Sequence, residues 1–195
     1  MDHFVFLFPD TNHIDNSPQI KFFENYYPAN YARYCDVLNQ CIDLRYRKNN
    51  FAITYVLLKD ESLSKILRVY SSDNLIQLNA SMKDMQAKVS ENNSDYYVDS
   101  NTILSKLTSK PIDKLVVGGF IVTDCVDKFA QDAYNLGLDI LVDEDITDML
   151  SSAMNLPNFK AGDFPNYNPM RLGPEVCELF LQERKNKPWL WQFYF

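Results

Sequence analysis

The chain has 195 residues, 46% hydrophobic and 23% charged, which suits one α/β domain with a sizeable core and is short for two. A formal net charge of −7, with no basic run to offset it, argues against a nucleic-acid backbone or an anionic membrane as the main partner. Four cysteines (Cys35, Cys41, Cys125, Cys177) follow neither metal-ligand nor disulfide-framework spacing and are expected as reduced thiols in a cytoplasmic compartment.

In chain order, Phe4 to Phe8 is a short all-apolar run closed by Pro9-Asp10, which predicts a strand buried on both faces of a parallel sheet. This run is too short to span a membrane, and no positive region of a signal peptide precedes it. Thr11 to Pro28 reads as a loop with a short helix. From Asn30 to Arg47, the apolar positions Tyr31, Tyr34, Cys35, Leu38, Cys41, Ile42 and Leu44 fall at helical spacing and predict an amphipathic helix. Phe51 to Leu58 is rich in β-branched and aromatic residues and reads as a second buried strand. Between Lys59 and Ser100, strands are expected near Leu75 to Leu78 and near Tyr96 to Val98, with a polar loop from Ser90 to Asp95 between them. A helix over Thr102 to Ser109 has the face Ile103, Leu104 and Leu107 and is closed by Pro111.

The clearest unit follows. Lys114 to Gly119 reads as a strand, and Cys125 to Leu136 as a helix with apolar Val126, Phe129, Ala130 and Ala133. Gly137 stands where a left-handed C-cap is wanted, and Leu138 to Val142 forms the next strand before the acidic Asp143-Glu144-Asp145. Strand, helix and strand in so few residues specify a right-handed βαβ crossover. Further helices are expected over Met149 to Met154 and Glu175 to Lys185. The division is one domain over 1–157 and an aromatic-rich extension over 158–195.

In an open α/β sheet, ligands bind beyond the carboxyl ends of the strands, where Asp10 and Cys125 both fall. A thiol at a helix N-terminus is biased toward thiolate, and amides at such a turn point toward a developing oxyanion. Cysteine with a carboxylate to relay its proton is coherent covalent chemistry. The same spacing also suits a small buried cysteine and an aspartate that merely caps a turn. Asp124 and Asp127 flank Cys125, and their charge would push the thiol pKa up at close range.

The stretch Gly119-Phe-Ile-Val-Thr-Asp-Cys-Val-Asp-Lys-Phe-Ala-Gln-Asp-Ala133 resembles the signature of isochorismatase-like cysteine hydrolases. Gly119, Cys125, Val126, Ala130, Asp132, Ala133, Gly137 and the strand ending at Val142 keep that register, and the opening strand with Asp10 is similar to the first strand of that family. The resemblance implies a three-layer α/β/α sandwich around a mainly parallel, Rossmann-like sheet. It also implies hydrolysis of a small amide or of the vinyl ether of isochorismate, by an Asp–Lys–Cys triad in the amidase members. Cys125 would be the nucleophile and Asp10 the base. The backbone N–H groups of Ile121 and Cys125 would form the oxyanion hole, held by a non-proline cis peptide between Phe120 and Ile121.

Three positions depart from the pattern. The threonine comes one place late, at Thr123, with Val122 in its place. The position expected for the catalytic lysine falls on Asn92, with Lys88 or Lys83 serving only across a longer loop. Where nicotinamidases carry an Asp-x-His-x-His metal site, this chain reads Lys59-Asp60-Glu61-Ser62-Leu63, and its histidines, His3 and His13, lie near the N-terminus. No metal and no cofactor are therefore expected, and nicotinamide is disfavoured. A small-molecule substrate is the expected partner. The alternative is a catalytically impaired relative that binds a ligand or a protein through the same cleft and the aromatic tail. That tail, Pro188 to Phe195, would cover an apolar face of its own subunit or form a homodimer contact. It is too short and lacks the basic residues needed to anchor in a membrane. A nucleotide-binding domain is the weakest reading, because Gly118-Gly119 is not followed by a pyrophosphate-binding glycine pattern.

Overall fold

The computed structural model describes residues 1–12, 14–81, 83–84, 100–107, 111–119, 125–147, 159–164, 182 and 184–190. In chain order the described elements are β1 (His3–Leu7), α1 (Pro18–Tyr26), α2 (Pro28–Cys41), β2 (Ala52–Leu57), β3 (Asn74–Gln77), α3 (Ser100–Leu107), β4 (Leu115–Gly118), α4 (Asp127–Asn135) and β5 (Ile140–Val142). The five strands form one sheet in the order β3-β2-β1-β4-β5, and every neighbouring pair is parallel.

The apolar runs of β1, β2 and β4 are explained by burial on both sides. Phe4 and Phe6 pack with Ile53, Tyr55 and Val116 beneath α1 and α2. Val5 and Leu7, on the opposite face, pack with Val56, Leu115 and Val117 beneath α3 and α4. Alternate residues of a strand point to opposite faces, so the sheet is the middle of three layers. The expected α/β/α architecture is what forms.

Most element boundaries differ from the sequence expectation by one or two residues, the usual uncertainty of helix and strand ends. The segment expected as a loop with a short helix holds the nine-residue α1, and both α1 and α2 begin at prolines, whose fixed φ suits a first helical turn. One difference is larger. The helix expected to run to Arg47 is α-helical only to Cys41. It widens into a π turn over Ile42–Tyr46 and tightens into a 3-10 turn over Arg47–Asn49, ending at Asn50 with φ 62°. The wider turn shifts the phase of the buried face. Leu44, counted as apolar face in the sequence, is 40% exposed, whereas Arg45 and Tyr46 are fully buried.

The strand expected near Tyr96 to Val98, the loop before it and the helix over Met149 to Met154 lie outside the described residues, as does nearly all of the helix over Glu175 to Lys185. Near the far end of the chain, Trp189 and Leu190 are buried in the same cluster as α4, and the N–H of Val142 donates to the Trp189 carbonyl at 2.8 Å. Among the described residues, no helix is long and apolar enough to cross a membrane.

The strand order fixes where a site can form. From β1 the chain steps outward through β2 to β3, then returns to the other side of β1 for β4 and β5. The crevice between β1 and β4 is the topological switch point of the sheet, the place where an open α/β sheet leaves room for a ligand at its carboxyl edge.

Candidate active site

Cys125 reaches this crevice by a close approach of strand and helix. A Cβ on Gly119 would lie 2.5 Å from Val126 Cγ2, so only glycine lets the start of the helix come down onto the strand end. Cys125 and Val126 form a single wide turn that runs into α4. Val126 is fully buried, and Cys125 is half-buried beside it. The thiol shares a pocket with Leu7 and Phe8 from the end of β1, Ser100 and Ile103 from α3, and Lys128 and Phe129 from α4. The turn brings the thiol to the N-terminal end of α4.

The charged groups around the cysteine are tied to one another. Asp127, in the first turn of α4, accepts from Lys187 Nζ at 2.7 Å and from Trp189 Nε1 at 2.8 Å. Its charge is therefore compensated by Lys187; Asp124 lies outside the described residues. Lys128 Nζ donates to Asp132 Oδ1 at 2.5 Å, and Ser100 Oγ donates to Asp132 Oδ2 at 2.7 Å. The Ser100 contact joins α3 to α4 beside the pocket.

Asp10 sits two residues beyond the pocket wall and is fully buried. The backbone reaches it through Phe8, which has φ 54°, a left-handed conformation that costs an aromatic residue about 1–3 kcal/mol and persists only where packing imposes it. The Phe8 N–H donates to Val56 O at 2.8 Å, Asp10 bridges to Leu63, and Ser64 N–H donates to Pro9 O at 2.9 Å. Asp10 Oδ1 accepts the N–H of Asn12 at 3.1 Å, the turn-capping role its position suggested. Among the described residues, Leu7 and Phe8 rather than Asp10 are the contribution of β1 to the wall around Cys125.

Phe120, Ile121, the peptide between them, Asn92 and Lys88 lie outside the described residues, as do His13 and Cys177. Lys83 is exposed and helical. The residues at the place of the nicotinamidase metal site do not fit a zinc ion. They include no histidine, and Glu61 is occupied by the side chains of Asn12 and Thr11. His3 is buried at the start of β1, where desolvation and the nearby N-terminal charge lower its pKa and keep it neutral.

A second buried cluster lies at the carboxyl end of β5. Arg45 Nη1 donates to both oxygens of Asp143 at 2.9 and 2.8 Å, Nη2 to Asp145 at 2.8 Å, and Nε to the Ala161 carbonyl at 2.7 Å. Tyr46 donates its hydroxyl to the same Asp143. Burial alone would lower the Arg45 pKa, but Asp143 and Asp145 outweigh it and hold the guanidinium above its ordinary value. Burial pushes Glu144 up to about 7, against the opposing pull of its partner Arg184. This cluster escaped the sequence reading, although the acidic run was visible. Its cationic partner is 98 residues away in sequence.

The chain matches no protein-family profile, and no curated protein matches it in sequence. Similarity appears among solved structures. A crystal structure titled as an isochorismatase family protein aligns over 75% of this chain and 80% of its own, with a TM-score of 0.50 and 18% identity. The pyrazinamidase of Pyrococcus horikoshii, solved in complex with zinc, aligns over 98% of this chain and 99% of its own, with a TM-score of 0.51 and 12% identity. At these identities the likeness is one of fold: the chain has an isochorismatase-like α/β fold.

Proposed function

We propose that this chain is a cysteine-dependent hydrolase of a small amide or related substrate, with Cys125 as nucleophile and Asp10 as the base that takes its proton. The observation that carries this reading is the position of Cys125. It opens α4 at the switch point between β1 and β4, in a pocket bounded by the end of β1. The likeness in fold to a pyrazinamidase adds support at the level of architecture.

In the proposed reaction the Cys125 thiolate adds to the amide carbonyl, the C–N bond breaks, and the amine leaves with the proton that Asp10 accepted. Water then cleaves the thioester, releasing the acid and restoring the thiol. The helix N-terminus stabilises the thiolate before attack and the developing oxyanion after it.

A screen of small amides against the intact chain tests the reading. Turnover of at least one amide, with Cys125→Ala reducing it by at least about a thousandfold, is the expected outcome. Ligand binding without turnover in the wild-type chain, together with a Cys125 that alkylates no faster than Cys35, would leave a ligand-binding relative in place of an enzyme. Cys35 is a suitable reference because burial raises its pKa.

A further inference from the structure

α1 is a nine-residue helix, shorter than the roughly 12–15 residues an isolated helix needs, so its stability has to come from packing. Its own chain supplies packing on one side. Ile20 is buried and Phe23 half-buried, whereas Phe22 is 54% exposed, Tyr26 69%, and Tyr27, which joins α1 to α2, 51%. We infer that this face of α1 is where a second copy of the chain docks, through a twofold-related, antiparallel pairing of the two α1 helices. The inference is independent of the hydrolase reading.

The rings form one preformed patch. Phe22 and Tyr26, four apart on one face of the helix, pack with centroids 4.7 Å apart. Tyr27 closes the group, 6.1 Å from Phe22 and 5.8 Å from Phe23. Pro18 opens α1 and Pro28 opens α2, and the fixed φ of each proline stiffens the corner that carries the rings. Contiguous exposed apolar surface with a polar rim marks an interaction site, and aromatic side chains are favoured anchors of such sites.

Charge selects the occupant. The exposed positions of α1 and α2 include Lys21, Glu24, Arg33 and Asp36, two cations and two acids, in a chain whose net charge is −7. A second copy therefore meets a balanced surface here and not an acidic one. In both helices the cation precedes the acid by three residues. A copy running the other way sets acid against cation on either side of a twofold axis, the self-complementary arrangement of an isologous interface. The same reversal places Phe22 of each copy against Tyr26 of the other. A strongly basic or strongly acidic partner finds no complementary field on this face. Trp189 and Leu190, by contrast, are buried within their own chain and serve the fold.

Sedimentation equilibrium of the full chain, from about 1 to 200 µM, tests the inference. A reversible dimer with a dissociation constant on the order of 10 µM is expected, because one short aromatic face makes a small interface. Phe22→Ser and Tyr26→Ser are each expected to weaken it by at least about tenfold. Leu75→Ser, at an exposed position on β3, is the control and should leave association unchanged. Should Phe22→Ser lose its fold by circular dichroism, Tyr26→Ser, at the more exposed position, carries the comparison. Lys21→Glu is expected to weaken the dimer by about threefold, and adding Glu24→Lys to restore it, as acid and cation again oppose one another. A chain that stays monomeric over this range overturns the inference. So does a dimer that the α1 variants weaken no more than Leu75→Ser does, and a charge-reversed double variant that fails to recover overturns the antiparallel pairing.

Discussion

Trp189 donates its indole N–H to Asp127 at 2.8 Å, which pins a segment near the end of the chain to the first turn of the helix that carries Cys125. Lys187 reaches the other oxygen of the same carboxylate, and the Trp189 carbonyl accepts from Val142 at the end of β5. The segment therefore packs on the core and neutralises an acid two residues from the cysteine. In this arrangement, residues far along the sequence supply the partners of an acid beside the cysteine.

Removing the Lys187 charge separates those two roles. In Lys187→Met, the negative charge of Asp127 opposes thiolate formation, and alkylation of Cys125 at neutral pH is expected to slow by about threefold. Asp127→Asn in the same background removes the opposing charge and is expected to restore the rate. An unchanged rate in the single variant would mean that Asp127 does not influence the thiol.

Arg45 is the buried cation that holds Asp143 and Asp145 at the end of β5. Both of its carboxylate partners are fully buried, so Arg45→Met takes a buried cation away from two buried carboxylates, and urea unfolding is expected to show a loss of about 3–5 kcal/mol. Changing Asp143 to Asn and Asp145 to Asn in the same chain should recover part of that loss. A loss under about 1 kcal/mol in the single variant would show that solvent reaches the pair.

How far the sequence reveals this molecule depends on how local each signal is. β1, β2 and β4 are legible because strands buried on both faces read as unbroken apolar runs. β3 is harder to bound, since only Ile76 of its four residues is buried. The helix of Cys125 and its glycine at position 119 are legible because the strand, turn and helix are contiguous. Arg45 is not, because it stands beside Leu44 in a pattern whose phase changes at the π turn, and its partners come from the far end of the sheet.

Glu144 gives the fold a dependence on pH whose sign follows from its shift. Burial raises its pKa from 4.5 to about 7, so between these values the folded chain holds a proton that the unfolded chain has released. Its contribution to stability is complete below about pH 4.5 and is lost as pH rises through about 7. The unfolding free energy is accordingly expected to decline between about pH 5 and 7, and Glu144→Gln, which has no proton to release, should flatten that decline. Identical slopes in the two proteins, measured by urea titration at several pH values, would show that Glu144 does not control it.

The approach of β4 to α4 can be tested by adding one carbon and then removing another. Gly119→Ala places a methyl 2.5 Å from Val126 Cγ2, and both neighbouring elements are packed against the core, so neither yields freely. The cost is expected to be about 1–3 kcal/mol by urea unfolding. The displacement acts on the turn that presents Cys125, so alkylation of the thiol should slow with it. Val126→Ala alone removes buried methyl groups and is expected to cost about 0.5–2.5 kcal/mol without crowding the turn. In the double variant the new methyl occupies space that Val126 vacates, and the two costs should not add. The expected signature is a double variant more stable than the sum of the single losses by about 1 kcal/mol, with the Cys125 rate restored. Additive losses would mean that Gly119 serves a backbone need of the turn instead of the contact with Val126.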